Sequence, residues 1–73
     1  MSAPLRHQKI IGETVRNYRK AAGLTQEKLA EKASLHPVYV GEIERGEQAI
    51  SVSALVRVAK ALKVRLSDLV ADV

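Results

Sequence analysis

The sequence contains no cysteine, phenylalanine or tryptophan, and its only aromatic residues are Tyr18 and Tyr39. Without cysteine the chain has no disulfide, no thiol nucleophile and no cysteine-based zinc site. His7 and His36 stand too far apart in the chain to read as a spaced pair of metal ligands. No glycine-rich phosphate loop and no nucleophile–base arrangement is visible. We therefore expect no cofactor, no metal and no enzymatic activity.

Long apolar runs are also missing. No segment approaches the roughly 20 apolar residues of a membrane span, and the first residues, MSAPLRHQKIIG, lack the apolar stretch of a signal peptide. The absence of cysteine fits a reducing compartment. These absences predict a cytoplasmic protein with no membrane partner, and no small-molecule ligand is evident.

The residues that are present indicate one small domain spanning 1–73. About 47% of the chain is apolar, mostly Leu, Val, Ile and Ala, which is enough for a core. The net charge is +4 and the sequence pI is about 9.8, and five of the twelve basic residues lie in the first twenty positions. Such an excess fits a polyanionic partner, nucleic acid first, or simply a soluble surface.

The apolar spacing is helical throughout, and no stretch alternates as a strand would. Glycine, threonine and serine punctuate this pattern as helix stops and caps. Five short helices are predicted: about 5–22, 25–33, 37–45, a fourth capped by Ser51 or Ser53, and about 66–70. The run Arg57, Lys60, Lys63 and Arg65 on the fourth helix is interpreted as a solvated face.

The stretch SLHPVYVGEIERG, residues 34–46, mixes helix breakers with helix formers. Proline is favoured as the first residue of a helix, so Pro37 predicts a helix start with His36 as its cap. Gly41 then weakens the middle of that helix by roughly 1 kcal/mol relative to alanine. Only residues 34–36 separate this helix from the preceding one, which is typical of a helix-turn-helix over about 25–45. Such a unit can place its second helix in the major groove of DNA.

The segment GLTQEKLAEKASLHPVYVGEIERGEQ, followed by LVRVAKALKV, resembles the Cro/C1-type (XRE) helix-turn-helix family. Within that family it is most similar to the controller proteins of restriction–modification systems. The resemblance covers about residues 11–70. It implies an all-α, compact five-helix, lambda-repressor-like domain. It also implies a transcriptional regulator that binds a near-palindromic operator in double-stranded DNA as a homodimer.

The resemblance also implies roles for individual residues. Residues facing the bases are expected around the start and outer side of the third helix: His36, Pro37, Val38 and Glu42. Contacts to the DNA backbone are expected from the second helix start, the third helix and the loop after it: Thr25, Gln26, Tyr39, Arg45, Ser51 and Ser53. Arg19 and Glu44 match a buried ion pair that ties the first helix to the third.

Two departures from the family pattern have consequences. Ser34 stands where the family often has glycine, which predicts a less relaxed turn. Pro37 and Val38 replace residues that form base hydrogen bonds, so specificity is expected to depend partly on DNA shape. Gly41 either lets the helix approach the DNA backbone or is simply tolerated.

The segment VRLSDLVADV is expected to form a two-fold dimer contact, as it does in the family. The dimerisation segment is predicted at about 64–70, with Leu66, Ser67 and Leu69 in the interface. Two other functions stay open at this point. One is the antitoxin of a toxin–antitoxin pair, and the other is a protein-interaction module that has kept the fold and lost DNA binding.

Overall fold

The computed structural model of the chain describes residues 5–73, so the first four residues of the predicted domain lie outside the described part. All regular structure in this range is helical. The helices are α1 (Arg6–Ala21), α2 (Gln26–Ala33), α3 (Pro37–Glu44), α4 (Val52–Leu62) and α5 (Leu66–Leu69). The predicted five-helix, all-α architecture is confirmed, with boundaries displaced by a residue or two. None of the helices in the described range is long and apolar enough to cross a bilayer.

Side-chain caps start the three middle helices where the sequence places them. Thr25 and Ser51 each accept a hydrogen bond at 3.0 Å from the backbone N–H three residues further on. Ser51 rather than Ser53 is therefore the cap of α4. His36 caps α3 and Pro37 is its first residue. These bonds satisfy backbone donors that have no partner inside a helix.

Each of the helices α1 to α4 is followed, one or two residues after its last helical residue, by a residue in the left-handed conformation. Two of these residues are glycines, Gly23 (φ +72°) and Gly46 (φ +75°), and two are not, Ser34 (φ 56°) and Lys63 (φ 59°). In each case the next residue donates its N–H back across the helix end, at 2.8 to 3.1 Å. The left-handed conformation disfavours residues with a Cβ, so the predicted strain at Ser34 is present.

All five helices contribute side chains to one core, and α3 packs against both α1 and α2. Its largest fully buried side chains are Leu29, Leu69, Val15, Val40 and Val58. Leu69 was expected in a dimer surface, but it is completely enclosed by its own chain. A short amphipathic helix must close the core before it can offer apolar area to a partner, and Leu69 has that task.

Helices α1 and α3 cross with their backbones almost touching. A Cβ at Gly12 would collide with the backbone oxygen of Ile43 and would lie 3.0 Å from that of Glu44. Only glycine permits this approach. The crossing sets the depth at which α1 meets the inner side of α3, and so it brings Arg19 to the end of that helix.

Candidate nucleic-acid interface

A buried ion pair joins α1 to the C-terminal end of α3. Arg19 Nε and Nη2 donate to the two carboxylate oxygens of Glu44 at 2.7 and 3.0 Å, and Nη1 donates to the Leu24 carbonyl at 2.8 Å. Glu44 is 8% exposed. The hydrogen bonds to Glu44 raise the pKa of Arg19 above its ordinary value, so the guanidinium stays charged. The structure thus brings together the two residues predicted as a structural pair.

Glu44 also orients the first residue of α2. Gln26 Nε2 donates to Glu44 Oε1 at 3.0 Å. Because a carboxylate only accepts hydrogen bonds, the amide must turn its nitrogen towards Glu44, and a second Nε2 hydrogen remains available. The same helix end carries backbone N–H groups with no partner in the helix. Gln26 therefore lies where an anion is best accommodated.

A shallow surface hollow of about 470 Å³ separates the start of α2 from the outer side of α3. Its floor is Gly41, which is buried although it faces outwards. The remaining lining residues are Gln26, Glu27, Pro37, Val38 and Arg45. Three of the residues predicted to contact DNA thus share one surface with Gln26: Pro37 and Val38 on α3, and Arg45 just after it.

Arg45 follows α3 and carries the exposed charge of this surface. Its Nε and Nη2 donate to the two carboxylate oxygens of Glu47 at 3.0 and 3.1 Å. The pairing raises the pKa of Arg45 and lowers that of Glu47. Both side chains are about half exposed, so water screens the pair and it contributes little to folding. The Nη1 edge of the guanidinium points back towards Gly41.

The predicted base-contact residues lie around the start of α3. His36 Nδ1 accepts from the Val38 N–H at 3.1 Å, so in the neutral ring the hydrogen is on Nε2, which is free to donate. Pro37 is exposed, and Val38 is 60% exposed, an apolar side chain on an open surface. Glu42 is half-buried one residue beyond Gly41.

Tyr39 and Ser51 fasten the loop between α3 and α4. The Tyr39 hydroxyl donates to the Ala49 carbonyl at 3.3 Å and accepts from the Ser51 N–H at 3.2 Å. Tyr39, predicted to contact the DNA backbone, thus also positions the loop that follows α3. The hydroxyls of Thr25 and Ser51 accept capping bonds and keep their own hydrogens for an outside acceptor, and Ser53 is exposed.

Sequence reasoning missed two residues that shape this surface. Arg57 was interpreted as part of a solvated face, but its Nη1 donates to the Ser34 carbonyl at 3.1 Å and so ties α4 to the turn between α2 and α3. Gly12 was not singled out at all. Its signal is a glycine in the middle of a long helix, where glycine is costly unless another backbone comes close.

The predicted dimerisation segment is only partly available on the surface. Leu66 is 41% exposed, and Ser67 and Val70 are also exposed, whereas Leu69 is not. Within residues 5–73 no three histidine or carboxylate side chains come close enough together to hold a metal ion.

Comparison with known proteins gives the same picture as the geometry. The model of the helix-turn-helix family HTH_3 matches residues 15–69. The chain belongs to this family. It is 42% identical over 62 residues to the control protein C.SmaI of Serratia marcescens, across 85% of this chain and 74% of that protein.

Solved structures of regulators superpose closely on the helix-turn-helix chain. The restriction–modification controller protein C.AhdI from Aeromonas hydrophila matches with a TM-score of 0.84 and 35% identity, over 85% of this chain and 94% of that chain. The clp gene regulator ClgR from C. glutamicum matches with a TM-score of 0.83 and 33% identity, over 92% and 86%. The predicted XRE-type family and the similarity to controller proteins are confirmed, and the chain is a helix-turn-helix transcriptional regulator of the controller type.

Proposed function

We propose that this regulator binds a near-palindromic DNA operator as a homodimer, with α3 in the major groove. The observation that carries the proposal is the network of Arg19, Glu44 and Gln26. It fixes the start of α2, where an anion fits, at a set distance from the outer side of α3. A helix-turn-helix needs this arrangement, since one helix must rest on the backbone while the next reaches the bases.

The start of α2 supplies the backbone contact. A DNA phosphate placed there meets the spare Gln26 amide hydrogen, the first backbone N–H groups of the helix and the Thr25 hydroxyl. Arg45 adds a full positive charge on the other side of the hollow. Such contacts fix register and supply affinity without reading sequence.

Only a few side chains at the start and on the outer side of α3 are placed to contact DNA bases. Val38 is exposed enough to pack on a thymine methyl group, Glu42 can accept from a cytosine amino group, and His36 Nε2 can donate to a base or phosphate. Because Pro37 and Val38 make no hydrogen bonds to bases, the remaining specificity comes from sequence-dependent DNA shape.

The dimer contact is assigned to the exposed residues of the C-terminal segment, Leu66, Ser67 and Val70, with Leu69 supporting them from the core. A two-fold dimer places two copies of α3 about one helical turn of DNA apart, roughly 34 Å. A weak dimer of this kind binds DNA steeply as its own concentration rises, which suits a protein that regulates its own synthesis. Sedimentation showing only monomer at high micromolar concentration would contradict the dimer.

The proposal is tested by selecting bound sites from a random duplex library with the purified protein at moderate salt. The expected result is an enriched inverted repeat whose half-sites lie about one turn apart. Glu42→Ala should change the preferred base at one position of each half-site, whereas Glu31→Ala, which removes the same charge from the exposed side of α2, should not. Folded protein that enriches no sequence would overturn the proposal.

One observation favours a second function, that of a protein-interaction module. Val38, an apolar side chain on the surface proposed to meet DNA, is 60% exposed, and Val52 at the start of α4 is 74% exposed. Salt separates the two functions. Binding through phosphates weakens steeply as salt rises, whereas an apolar protein contact does not.

A further inference from the structure

Gly41 is buried on a face of α3 that points away from the core. The side chains that cover it come from two different elements, Gln26 at the start of α2 and Arg45 just after α3. A Cβ at Gly41 would lie 3.0 Å from Arg45 Nη1 and 3.4 Å from Gln26 Oε1. The space that a side chain would need is therefore occupied by the ends of these two polar groups.

The Gln26 amide and the Arg45 guanidinium are each held by hydrogen bonds to a carboxylate on the side away from Gly41. Glu44 fixes the Gln26 amide, and Glu47 takes the Nε and Nη2 edge of Arg45. The Nη1 edge of the guanidinium is left facing the hollow above Gly41, where Gln26 Oε1 also lies. A donor edge of Arg45 and the oxygen side of the Gln26 amide thus meet at one spot, and each group is oriented by a carboxylate on its far side.

We propose that Gly41 determines the affinity of the DNA contact, because its missing side chain lets the Arg45 guanidinium lie beside Gln26 Oε1, where Nη1 can donate to the backbone phosphate received at the start of α2. The inference rests on the proposed function and deepens it. A guanidinium presents its donors in a fixed planar fork, so its value to a phosphate depends on where that plane lies. A methyl group at position 41 lifts the plane away from Gln26.

The proposal requires that folding and binding respond in opposite directions to one substitution. Alanine is the best helix former and glycine among the poorest, so Gly41→Ala favours α3. The new methyl group meets only the far ends of two side chains and no backbone of another element. The fold is therefore stabilised, while the phosphate site loses its geometry.

The test measures both properties for Gly41→Ala. The melting midpoint should rise by about 2 to 8 °C, as expected for a glycine-to-alanine change in a small domain. Affinity for a labelled duplex of scrambled sequence should fall about three- to tenfold, the range of one hydrogen-bonded contact. The fall should be equal on the duplex recovered by selection, because phosphate contacts are independent of sequence.

A double-mutant cycle with Arg45→Gln identifies the cause. With no guanidinium to displace, adding Gly41→Ala to Arg45→Gln should cost no further affinity. Each single variant should also reduce the slope of log affinity against log salt, by up to about 0.9 per protomer. An affinity loss from Gly41→Ala that persists in full in the Arg45→Gln background would mean that the methyl group strikes the DNA itself, and would overturn the proposal.

Two further outcomes separate this inference from the proposed function. If Gly41→Ala and the unsubstituted protein bind the scrambled duplex equally well, the inference is overturned and the proposed function stands. If the unsubstituted protein binds no duplex at low salt, both are overturned.

Discussion

A glycine and an ion pair are found on each side of α3. On the inner side they hold the fold together, and on the outer side they shape the exposed surface. On the inner side, Gly12 admits the backbone of α3, and a Cβ there would strike backbone atoms. On the outer side, Gly41 admits the ends of two side chains, and a Cβ there would displace only those. Both glycines lie in the middle of a helix, where local propensity opposes them. Gly12 faces backbone atoms and is therefore required for helix packing, whereas Gly41 faces side-chain ends and therefore shapes the surface.

The two ion pairs at the end of α3 differ in the same way. Glu44 holds Arg19 with side-chain exposures of 2% and 11%, whereas Arg45 and Glu47 are 56% and 50% exposed. Glu44 and Arg45 are neighbours in sequence, yet one faces the core and the other the hollow. A buried charge that loses its partner destabilises the fold strongly, while an exposed one is solvated by water. Adjacent charges in this chain therefore have separable functions.

The largest expected effect is on the inner side. Arg19→Ala removes the partner of a buried carboxylate and should lower the free energy of unfolding by about 3–5 kcal/mol. Urea denaturation measures it, with Arg16→Ala, an exposed arginine on the same helix, as the matched control. Equal stability of the two variants would contradict the distinction between inner and outer charges.

Gly12→Ala should come next. Although alanine favours α1, its methyl group forces α1 and α3 apart, and overpacking of this kind costs about 1–3 kcal/mol. Its thermal midpoint should therefore fall, while that of Gly41→Ala rises. If both substitutions shift the midpoint in the same direction, the contrast between the two glycines is wrong.

Arg45→Gln should leave the melting midpoint unchanged, since its pair with Glu47 is screened by water. Its effect should appear in binding, as a weaker and less salt-dependent association with DNA of any sequence. Filter binding or fluorescence anisotropy over a salt series measures this. A marked drop in thermal stability would show that Arg45 belongs to the fold after all.

The smallest effect is a titration. Arg45 lowers the pKa of Glu47, so their attraction is present at neutral pH and is lost as the pH falls through that lowered value. In Arg45→Gln the pKa of Glu47 should move back up, as followed by carboxyl chemical shifts. No movement would mean that Arg45 and Glu47 are not paired in solution.

Local signals were sufficient for the helices and most of their ends. The cap at Thr25, the proline that opens α3 and the glycine at position 46 act within a few residues of chain, so periodicity and turn chemistry predict them. The family resemblance implied a DNA-backbone contact for Gln26 and for Arg45 separately, but it did not predict that the two lie beside one another. Spacing alone does not show that two helix ends will share a hollow.

Features that depend on distant parts of the chain were not predictable in this way. The role of Gly12 follows from a crossing with a helix some thirty residues later, and Arg57 reaches a carbonyl in a turn that its own helix gives no sign of. Leu69 shows the same limit, because apolar spacing marks a buried face without saying whether its own core or a partner buries it.

The hydrogen bond from Arg57 to the Ser34 carbonyl affects whether the helix-turn-helix can be transferred to another protein with its geometry intact. The turn contains a strained serine, and the donor that holds it is carried by α4. The end of α3 is likewise held by Arg19 of α1. A graft of residues 25–45 into another scaffold would leave both anchors behind, and the recipient would have to provide two arginines at matching positions before the angle between the grafted helices was restored.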